Sequence, residues 1–247
     1  MLTKVILPLL AILVSTGSYY AQVFAYQNTM TPAQLVSDVL LGQGVTATNI
    51  TFNNSAANAT AVQGSARSFT ATGFPFTSGV YLRTAGAANI AGDPQLTPIA
   101  SGPVTNGSIL EFDFVATGND LSFRYVFASS EYTGYTCSSF NDAFGFFISG
   151  PGITGYPNIA KIPNSNIPVS INTVNSGVAS GGNPSACAAA DPNWQANSIY
   201  FTTTYGTFSN ESYNGSTVAM TAISNLICGE TYHIKLAVCN VTDQALN

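Results

Sequence analysis

Alternating apolar and polar positions in the centre of the chain predict two strands. The segment 108–115 carries large apolar side chains at every second position, namely Leu110, Phe112 and Phe114. The segment 121–127 does the same with Leu121, Phe123, Tyr125 and Phe127. Because successive side chains of a strand point to opposite faces, each segment has one face suited to a core. The turn residues 116–120 between them predict that the two strands pair as a β-hairpin.

Other segments predict further short strands and one helix. The strand segments are 45–52, 79–82, 144–149, 168–174, 198–204, 216–222 and 231–239. The segment 144–149 is apolar at almost every position, which is typical of a central strand buried on both faces. Thr31 suits the N-cap of a helix, Pro32 its first position, and Gly42 its end. The pattern as a whole predicts an all-β fold, a β-sandwich or jelly roll with one short N-terminal helix, in a single domain.

The first residues have the layout of a secretory signal peptide. Lys4 precedes an apolar run from Val5 to Val14, and small and polar residues follow. The run is too short for a membrane-spanning helix, which needs about 20 residues. We expect cleavage after Ala21, with Ala25 as the alternative, so that residues 22–247 form the mature domain. The sequence therefore predicts a secreted or cell-surface protein with no membrane span in the mature chain.

The charge balance argues against nucleic acid as a partner. Loss of Lys4 leaves 5 basic against 11 acidic side chains, a net charge of −6, and only 7% of the residues are charged. Proteins that bind nucleic acids or anionic membranes instead carry basic patches. Serine, threonine, asparagine and glycine supply the polarity of this chain, as in exposed strands and turns.

Four cysteines predict two disulfides in an exported chain. We favour Cys137–Cys187 and Cys228–Cys239 over the other two connectivities, since Cys137 and Cys187 both lie in long loops. The second pair requires a sharp bend before Thr231. If 231–239 is one straight strand, its cysteines lie beyond the Cα limit of about 7 Å.

Two carboxylates on one strand raise the possibility of catalysis. Glu111 and Asp113 resemble the start of the E-x-D-x-x-E signature of jelly-roll β-glucanases, whose chemistry uses a nucleophile and an acid/base carboxylate. Val115 and Ala116 stand where the second acid would be, so the signature is incomplete. A cross-strand ion pair between Asp113 and Arg124 accounts for the carboxylate instead.

The loop between residues 129 and 142 is a candidate cation site. Glu131, Asn141 and Asp142 offer carboxylate and amide oxygens, which are the ligands that Ca²⁺ prefers. We expect a weak calcium site if the loop folds back and backbone carbonyls complete the shell. The alternative is that these side chains hydrogen-bond to the backbone of the loop, as Asp and Asn often do in turns.

The same region resembles a known family. The segments 123–132 (FRYVFASSEY) and 140–152 (FNDAFGFFISGPG) are similar to the core of the choice-of-anchor L domain. Further segments follow in that family's order, namely 158–160, 169–175, 213–217 and 228–237. The resemblance covers about residues 31 to 240. It implies an exported surface protein of Bacteroidetes-type bacteria, and it implies no particular ligand or catalytic residue.

The chain departs from that family's pattern at two places. Ser130 stands where the family usually has a second glutamate, which weakens an acidic site in this loop. The segment 239–243 replaces an acidic, glycine-containing stretch, and no final apolar strand follows it before Asn247. We therefore expect the domain to be truncated at its C-terminus.

These observations favour a non-catalytic extracellular module that binds a glycan or a surface protein, or contributes to adhesion. A binding module of this kind should expose aromatic side chains near a cluster of loops, and Tyr132, Tyr135 and Trp194 are the candidates. One alternative is a carbohydrate-active enzyme on a jelly roll, which would hold two carboxyl groups in a cleft. Another is a structural spacer of a larger surface protein, which would show neither feature.

Overall fold

A computed structural model describes residues 23–53, 55–56, 66–84, 92–204, 207–208 and 211–242. The predicted signal peptide, residues 1–21, lies outside this part of the chain. Helical segments are short, namely α1 (Pro32–Gln34) with a π-helical continuation (Leu35–Leu40), α2 (Thr97–Ala100), α3 (Pro184–Ala190) and a 3₁₀ turn (Ala196–Tyr200). Strands make up most of the regular structure, and the all-β prediction is confirmed.

The strands follow one another along the whole described chain. In order they are β1 (Val23–Gln27), β2 (Ala47–Phe52), β3 (Ser55–Ala56), β4 (Ala66–Thr72), β5 (Ser78–Leu82), β6 (Val104–Val115), β7 (Asp120–Tyr125), β8 (Ala128–Ser129), β9 (Ala143–Ser149), β10 (Phe201–Thr202), β11 (Thr207–Phe208), β12 (Glu211–Ser212), β13 (Gly215–Thr217), β14 (Met220–Asn225) and β15 (Thr231–Val241).

The predicted N-terminal helix forms with the caps that its sequence provides. The Thr31 hydroxyl accepts a hydrogen bond from the Gln34 backbone N–H at 3.2 Å. The Gln34 side chain in turn accepts one from the Thr31 N–H at 2.8 Å, which completes a capping box. Leu35 and Val36 are fully buried and anchor the helix on the core.

A five-stranded antiparallel sheet forms one layer, in the order β3-β2-β6-β15-β9. β6 is its central strand, and β15 lies between β6 and the edge strand β9 and pairs with both. The inner face of the sheet supplies much of the core through Leu110, Phe112, Phe114, Phe144, Ile148, Ile234 and Leu236.

Smaller sheets face this inner side. They have the orders β1-β4-β5, β14-β7 and β10-β13-β8. β7 packs on the large sheet through Phe123 and Tyr125, whose ring centroids lie 4.8 and 5.1 Å from that of Phe146. Val80 and Leu82 of β5 pack against the same core. The result is a two-layer sandwich whose second layer is divided between separate sheets.

The predicted hairpin between 108–115 and 121–127 is wrong. Both strands exist, but β6 pairs with β2 and β15, while β7 pairs with β14 in the opposite layer. The turn between them carries the chain from one sheet to the other. Both strands have one apolar face, and alternation alone does not distinguish two paired strands from two strands that face each other across a core.

Two further strand predictions need correction. The segment 144–149 was predicted to be a central strand, and β9 is mostly buried but lies at the edge of the large sheet. The loop 157–159 covers its free edge with hydrogen bonds to Phe146 and Ile148. The segment 168–174 forms isolated bridges at Pro168 and Ser170 followed by a turn, instead of a strand. The Thr173 hydroxyl donates to the Pro168 carbonyl at 2.8 Å, and this local bond stabilises the turn.

Candidate functional site

A cavity of about 590 Å³ lies where the second layer is divided. Two runs of consecutive residues line this cavity. One is Ser78–Leu82 of β5, and the other is 122–128, which covers the end of β7 and the segment that follows it. Phe144 and Phe146 of β9, with Leu236 of β15, lie beneath them on the inner face of the large sheet. The volume falls in the range of small-ligand pockets, about 300–1,000 Å³.

Alternation along two strands builds the aromatic floor of the cavity. Phe123, Tyr125 and Phe127 follow one another on the inner face of the segment 121–127 and meet the rings of β9. The centroids of Phe127 and Phe144 lie 4.6 Å apart in a stacked arrangement, and those of Tyr125 and Phe144 lie 5.4 Å apart. Aromatic pairs at such distances add to the hydrophobic gain of burial, so the floor is well fixed.

The other wall comes from the sheet of β1, β4 and β5 and from the loop that joins β4 to β5. Phe24 and Phe74 contact each other edge-on with centroids 5.0 Å apart, and Phe74 contacts Phe76 at 5.4 Å. The Arg124 guanidinium lies 5.0 Å from the Phe76 centroid, a cation–π geometry at the rim. The predicted Asp113–Arg124 ion pair is therefore wrong, because β6 and β7 belong to different sheets.

Few polar groups reach the cavity. The hydroxyls of Tyr81 and Tyr213 hydrogen-bond to each other. The Tyr125 hydroxyl is buried and has no hydrogen-bond partner among the residues that the structure describes. Burial raises the pKa of Tyr125, so this group remains a neutral hydroxyl that can donate and accept. The Tyr26 hydroxyl, on another wall of the cavity, is likewise buried without a described partner, so a ligand that enters would find two such hydroxyls beside apolar rings.

Two strand edges border the cavity. Within the described ranges, β5 pairs with β4 alone, and β7 pairs with β14 alone. Both strands line the cavity with consecutive residues, so their backbones run along it. An edge of this kind presents backbone N–H and C=O groups to any extended chain that comes alongside.

The predicted aromatic platform does not form. Tyr132 is fully buried, and its ring lies 5.0 Å from that of Phe201. Trp194 is only 5% exposed and packs beside Cys137 and Cys187. Tyr135 alone is exposed, at 40%. Large rings near loops were read as surface residues, but burial stabilises them more than exposure does.

The candidate calcium residues are brought together but hold the protein's own loops. The Asn141 amide donates to the carbonyls of Ile99 and Ala100 at 3.1 and 3.2 Å, and its oxygen accepts from the Asn172 N–H at 2.9 Å. The Asp142 carboxylate accepts from the Val241 N–H at 3.2 Å.

Glu131 is fully buried beside this loop. Within the described residues, no group of three or more His, Cys, Asp and Glu side chains is arranged to hold a metal ion. A calcium site at Glu131, Asn141 and Asp142 stays a prediction.

The carboxylates of β6 lie around a histidine on the outer face of the large sheet. His233 Nδ1 is 2.7 Å from Asp113 Oδ1, and His233 Nε2 is 3.1 Å from Glu111 Oε2. Asn49, at a bulge of β2 with a φ of 51°, donates to Asp113 at 2.6 Å. Burial acts to raise the pKa of Asp113, but the hydrogen bonds from Asn49 and His233, with the charge of His233, outweigh it and lower this pKa.

One of the two predicted disulfides forms. Cys137 and Cys187 are bonded, with Cα atoms 4.9 Å apart. Cys228 and Cys239 are free thiols, so the predicted second disulfide is wrong. β15 is continuous from Thr231 to Val241, with a bulge at Cys239 in its pairing with β6, so Cys228 is exposed beyond one end and Cys239 is buried near the other. Burial raises the pKa of the Cys239 thiol to about 11, and this thiol accepts a hydrogen bond from the Asp93 N–H.

Sequence reasoning missed much of the cavity wall. The strands β1 and β4 were left without a prediction, and Phe24, Phe69, Phe74 and Phe76 were given no role. The available signal was the density of phenylalanine within 69–76, with glycine and proline between the rings. Such a segment is expected to place several rings on one side of a turn.

The fold and the cavity define the class of protein as a β-sandwich module with an aromatic cavity between its sheets. The chain belongs to the choice-of-anchor L domain family, whose model matches residues 23–247. This confirms the resemblance and makes the chain a surface-associated module. No curated protein and no solved structure matches it. Among the described helices, none has the length and apolar character needed to span a bilayer.

Proposed function

We propose that this chain is a non-catalytic surface module that binds an extended segment of a partner protein in the aromatic cavity. The observation that carries the proposal is the cavity itself, about 590 Å³ with an aromatic floor and a strand edge on each side. Binding sites are typically concave and mostly apolar, with a few polar groups that fix orientation. Tyr125 and Arg124 are such groups here.

The two strand edges favour a polypeptide as the ligand. A peptide in β-conformation can hydrogen-bond to the backbone of β5, of β7, or of both, in the manner of β-strand addition. β5 has five residues, which correspond to about 17 Å of extended chain. Alternate side chains of the bound segment would then point toward Phe144 and Phe146, and the others toward solvent. This explains why an apolar floor lies directly below two edges.

A glycan is less well served by this geometry. Sugar binding depends on exposed rings together with several free polar groups, whereas Tyr132 and Trp194 are buried and the hydroxyls of Tyr81 and Tyr213 bind each other. The aromatic residues of the cavity form a floor below strand edges, which suits apolar side chains better than hydroxylated rings.

The carboxylates of β6 support a non-catalytic role. A glycosidase places an acid and a nucleophile or base on either side of the scissile bond, about 5 to 9.5 Å apart. Glu111 and Asp113 are instead both tied to one imidazole, that of His233. They also lie on the outer face of the large sheet, away from the cavity.

Selection from a random peptide display library on the immobilised protein tests the proposal. We expect enrichment of sequences with apolar residues at every second position and depletion of proline, which cannot donate to a strand. Ser78→Trp places a large ring at the cavity wall and should weaken binding of a selected peptide by at least about tenfold, or about 1.4 kcal/mol.

Asn225→Trp is the matched control, because Asn225 is an exposed residue of β14 opposite Asp120, and neither of these two residues lines the cavity. It should leave affinity unchanged. Absence of any enriched alternating sequence would contradict the proposal. So would a glycan array that gave binding abolished by Ser78→Trp, since the cavity would then be a sugar site.

A further inference from the structure

A buried lysine and aspartate meet on the outer face of the large sheet, on the side opposite to the cavity. Lys235 lies on β15, an inner strand of the sheet, and Asp93 lies in the segment before α2 that covers this face. Lys235 Nζ is 2.5 Å from Asp93 Oδ2, and the two side chains are only 11% and 6% exposed. This pair is more enclosed than the two contacts of His233 with Glu111 and Asp113 on the same face.

Apolar groups surround the pair. The Phe147 ring centroid lies 5.4 Å from Lys235 Nζ, and Phe147 is the neighbour of Lys235 on β9. Leu96, Ile109, Ala237 and Cys239 form a buried cluster with Phe147 on the same face. Removing two charges from water costs several kcal/mol per ion, and their mutual attraction repays this cost only in part. The same two groups joined as an amide would carry no charge.

The aspartate is held with one oxygen polarised and the other directed at the amine. Asp93 Oδ1 accepts a hydrogen bond from the Gln95 backbone N–H at 2.8 Å, while Oδ2 faces Lys235 Nζ. Gly92 brings the segment close to β6, since a Cβ at this position would lie 2.3 Å from the Val104 carbonyl. The carboxyl group therefore has a fixed orientation toward the lysine.

We propose that Lys235 and Asp93 form an intramolecular isopeptide bond. The ammonium first gives a proton to Asp93 Oδ2, which leaves a neutral amine beside a neutral carboxylic acid. The Nζ lone pair then attacks Cγ, and the negative charge that develops on Oδ1 is stabilised by the Gln95 N–H. A second proton moves from Nζ to Oδ2, the Cγ–Oδ2 bond breaks, and one water molecule leaves. One C–N bond replaces one C–O bond, with no change of oxidation state.

We assign the relay of the second proton to Glu111, whose carboxylate must turn from His233 to reach Lys235. It lies directly opposite Lys235 in the β6–β15 pairing, on the same face of the sheet, and its Oε2 is 3.1 Å from His233 Nε2. Directly opposed side chains on paired strands lie within reach of each other. The fold supplies the remaining requirement, because holding two reactants in contact is equivalent to an effective concentration of up to about 10⁵–10⁸ M.

Intact-mass spectrometry of the denatured and reduced full-length chain tests the bond. The expected mass is lower than that calculated from the sequence by one water molecule, after allowance for any cleaved leader. A tryptic digest should contain one branched peptide that joins the segments around Asp93 and Lys235. A full calculated mass, with both segments recovered as separate linear peptides, would overturn the proposal.

Lys235→Arg is the matched control, since arginine keeps the charge but forms no amide bond with a carboxylate under these conditions. Its mass should equal the calculated value. Glu111→Gln should form the bond at least about tenfold more slowly, because glutamine cannot relay a proton. A time course of refolded Glu111→Gln that matched the wild type would overturn the role of Glu111. The wild-type mass decides on the bond even if a variant does not fold.

Discussion

Removal of the Cys137–Cys187 disulfide should lower the free energy of unfolding of the domain by several kcal/mol. The bond closes a loop with a sequence separation of 50. It packs against Trp194, and the Cys137 backbone N–H donates to Asn172 at 2.9 Å, so both ends of the loop are held at one place. The double variant Cys137→Ala with Cys187→Ala releases the loop and leaves the cluster of Cys137, Cys187 and Trp194 partly unpacked.

The chain-entropy relation gives the magnitude. A closed loop of 50 residues corresponds to about 4 kcal/mol at 25 °C, and removal of native disulfides typically costs about 2–5 kcal/mol. With an m-value of about 2 kcal/mol/M, the urea midpoint should fall by about 2 M.

Equilibrium urea unfolding, followed by tryptophan fluorescence and circular dichroism, measures the effect. Trp194 is the only tryptophan and lies beside the bond, so its signal reports this region. Reductant should shift the wild type to the midpoint of the double variant and leave the variant unchanged. Cys228→Ala is the control, since Cys228 is exposed and unbonded. A midpoint that did not move in the double variant would refute the assignment of the loop's stability to this bond.

The remaining predictions concern single side chains. Asp113→Asn should lower stability at neutral pH, and the difference between variant and wild type should vanish on acidification. The pKa of Asp113 in the folded state lies below its unfolded value of about 3.9, so the stability that this carboxylate contributes is complete above that pH and is lost as the pH falls through the folded pKa. Urea titrations at a series of pH values measure this difference. Asn141→Ala leaves three buried backbone groups without their partner and should cost about 3 kcal/mol by thermal or urea unfolding. Tyr125→Phe should leave stability unchanged or raise it by up to about 1 kcal/mol, while weakening a selected peptide, because the hydroxyl is buried without a described partner. If calcium binds at Glu131, Asn141 and Asp142, millimolar Ca²⁺ should raise the Tm of the wild type and not that of Asp142→Ala; an unchanged wild-type Tm would exclude it.

Strand segments could be predicted from the sequence because their signal is local. The alternation around Phe112 and around Phe123 placed β6 and β7, and the N-terminal signals Thr31 and Pro32 placed the helix. Partners of the strands could not be predicted, since Asp113 faces His233, 120 residues away, through a pairing that no local pattern encodes. The error at Arg124 has the same origin.

The candidate site could be predicted only in part for a related reason. Its floor follows from the alternation of Phe123 and Tyr125, but the cavity exists because β5 and β7 do not pair with each other, which is a property of the whole layer. Burial of Tyr132 and Trp194 depends on tertiary packing around the disulfide and around Phe201. The sequence therefore singled out aromatic and acidic residues that matter for packing, but it did not predict that Tyr132 and Trp194 are buried or that Asp113 contacts His233.

Hydrogen exchange of the backbone amides, with and without a selected alternating peptide, tests the central claim most directly. Strand addition at the cavity predicts new protection in Ser78–Leu82 and in Asp120–Tyr125, the two strands that border the cavity, and no change in β6, whose residues do not line it. Protection that appeared elsewhere, or peptide binding that left the amides of both strands exchanging as before, would contradict strand addition at this cavity.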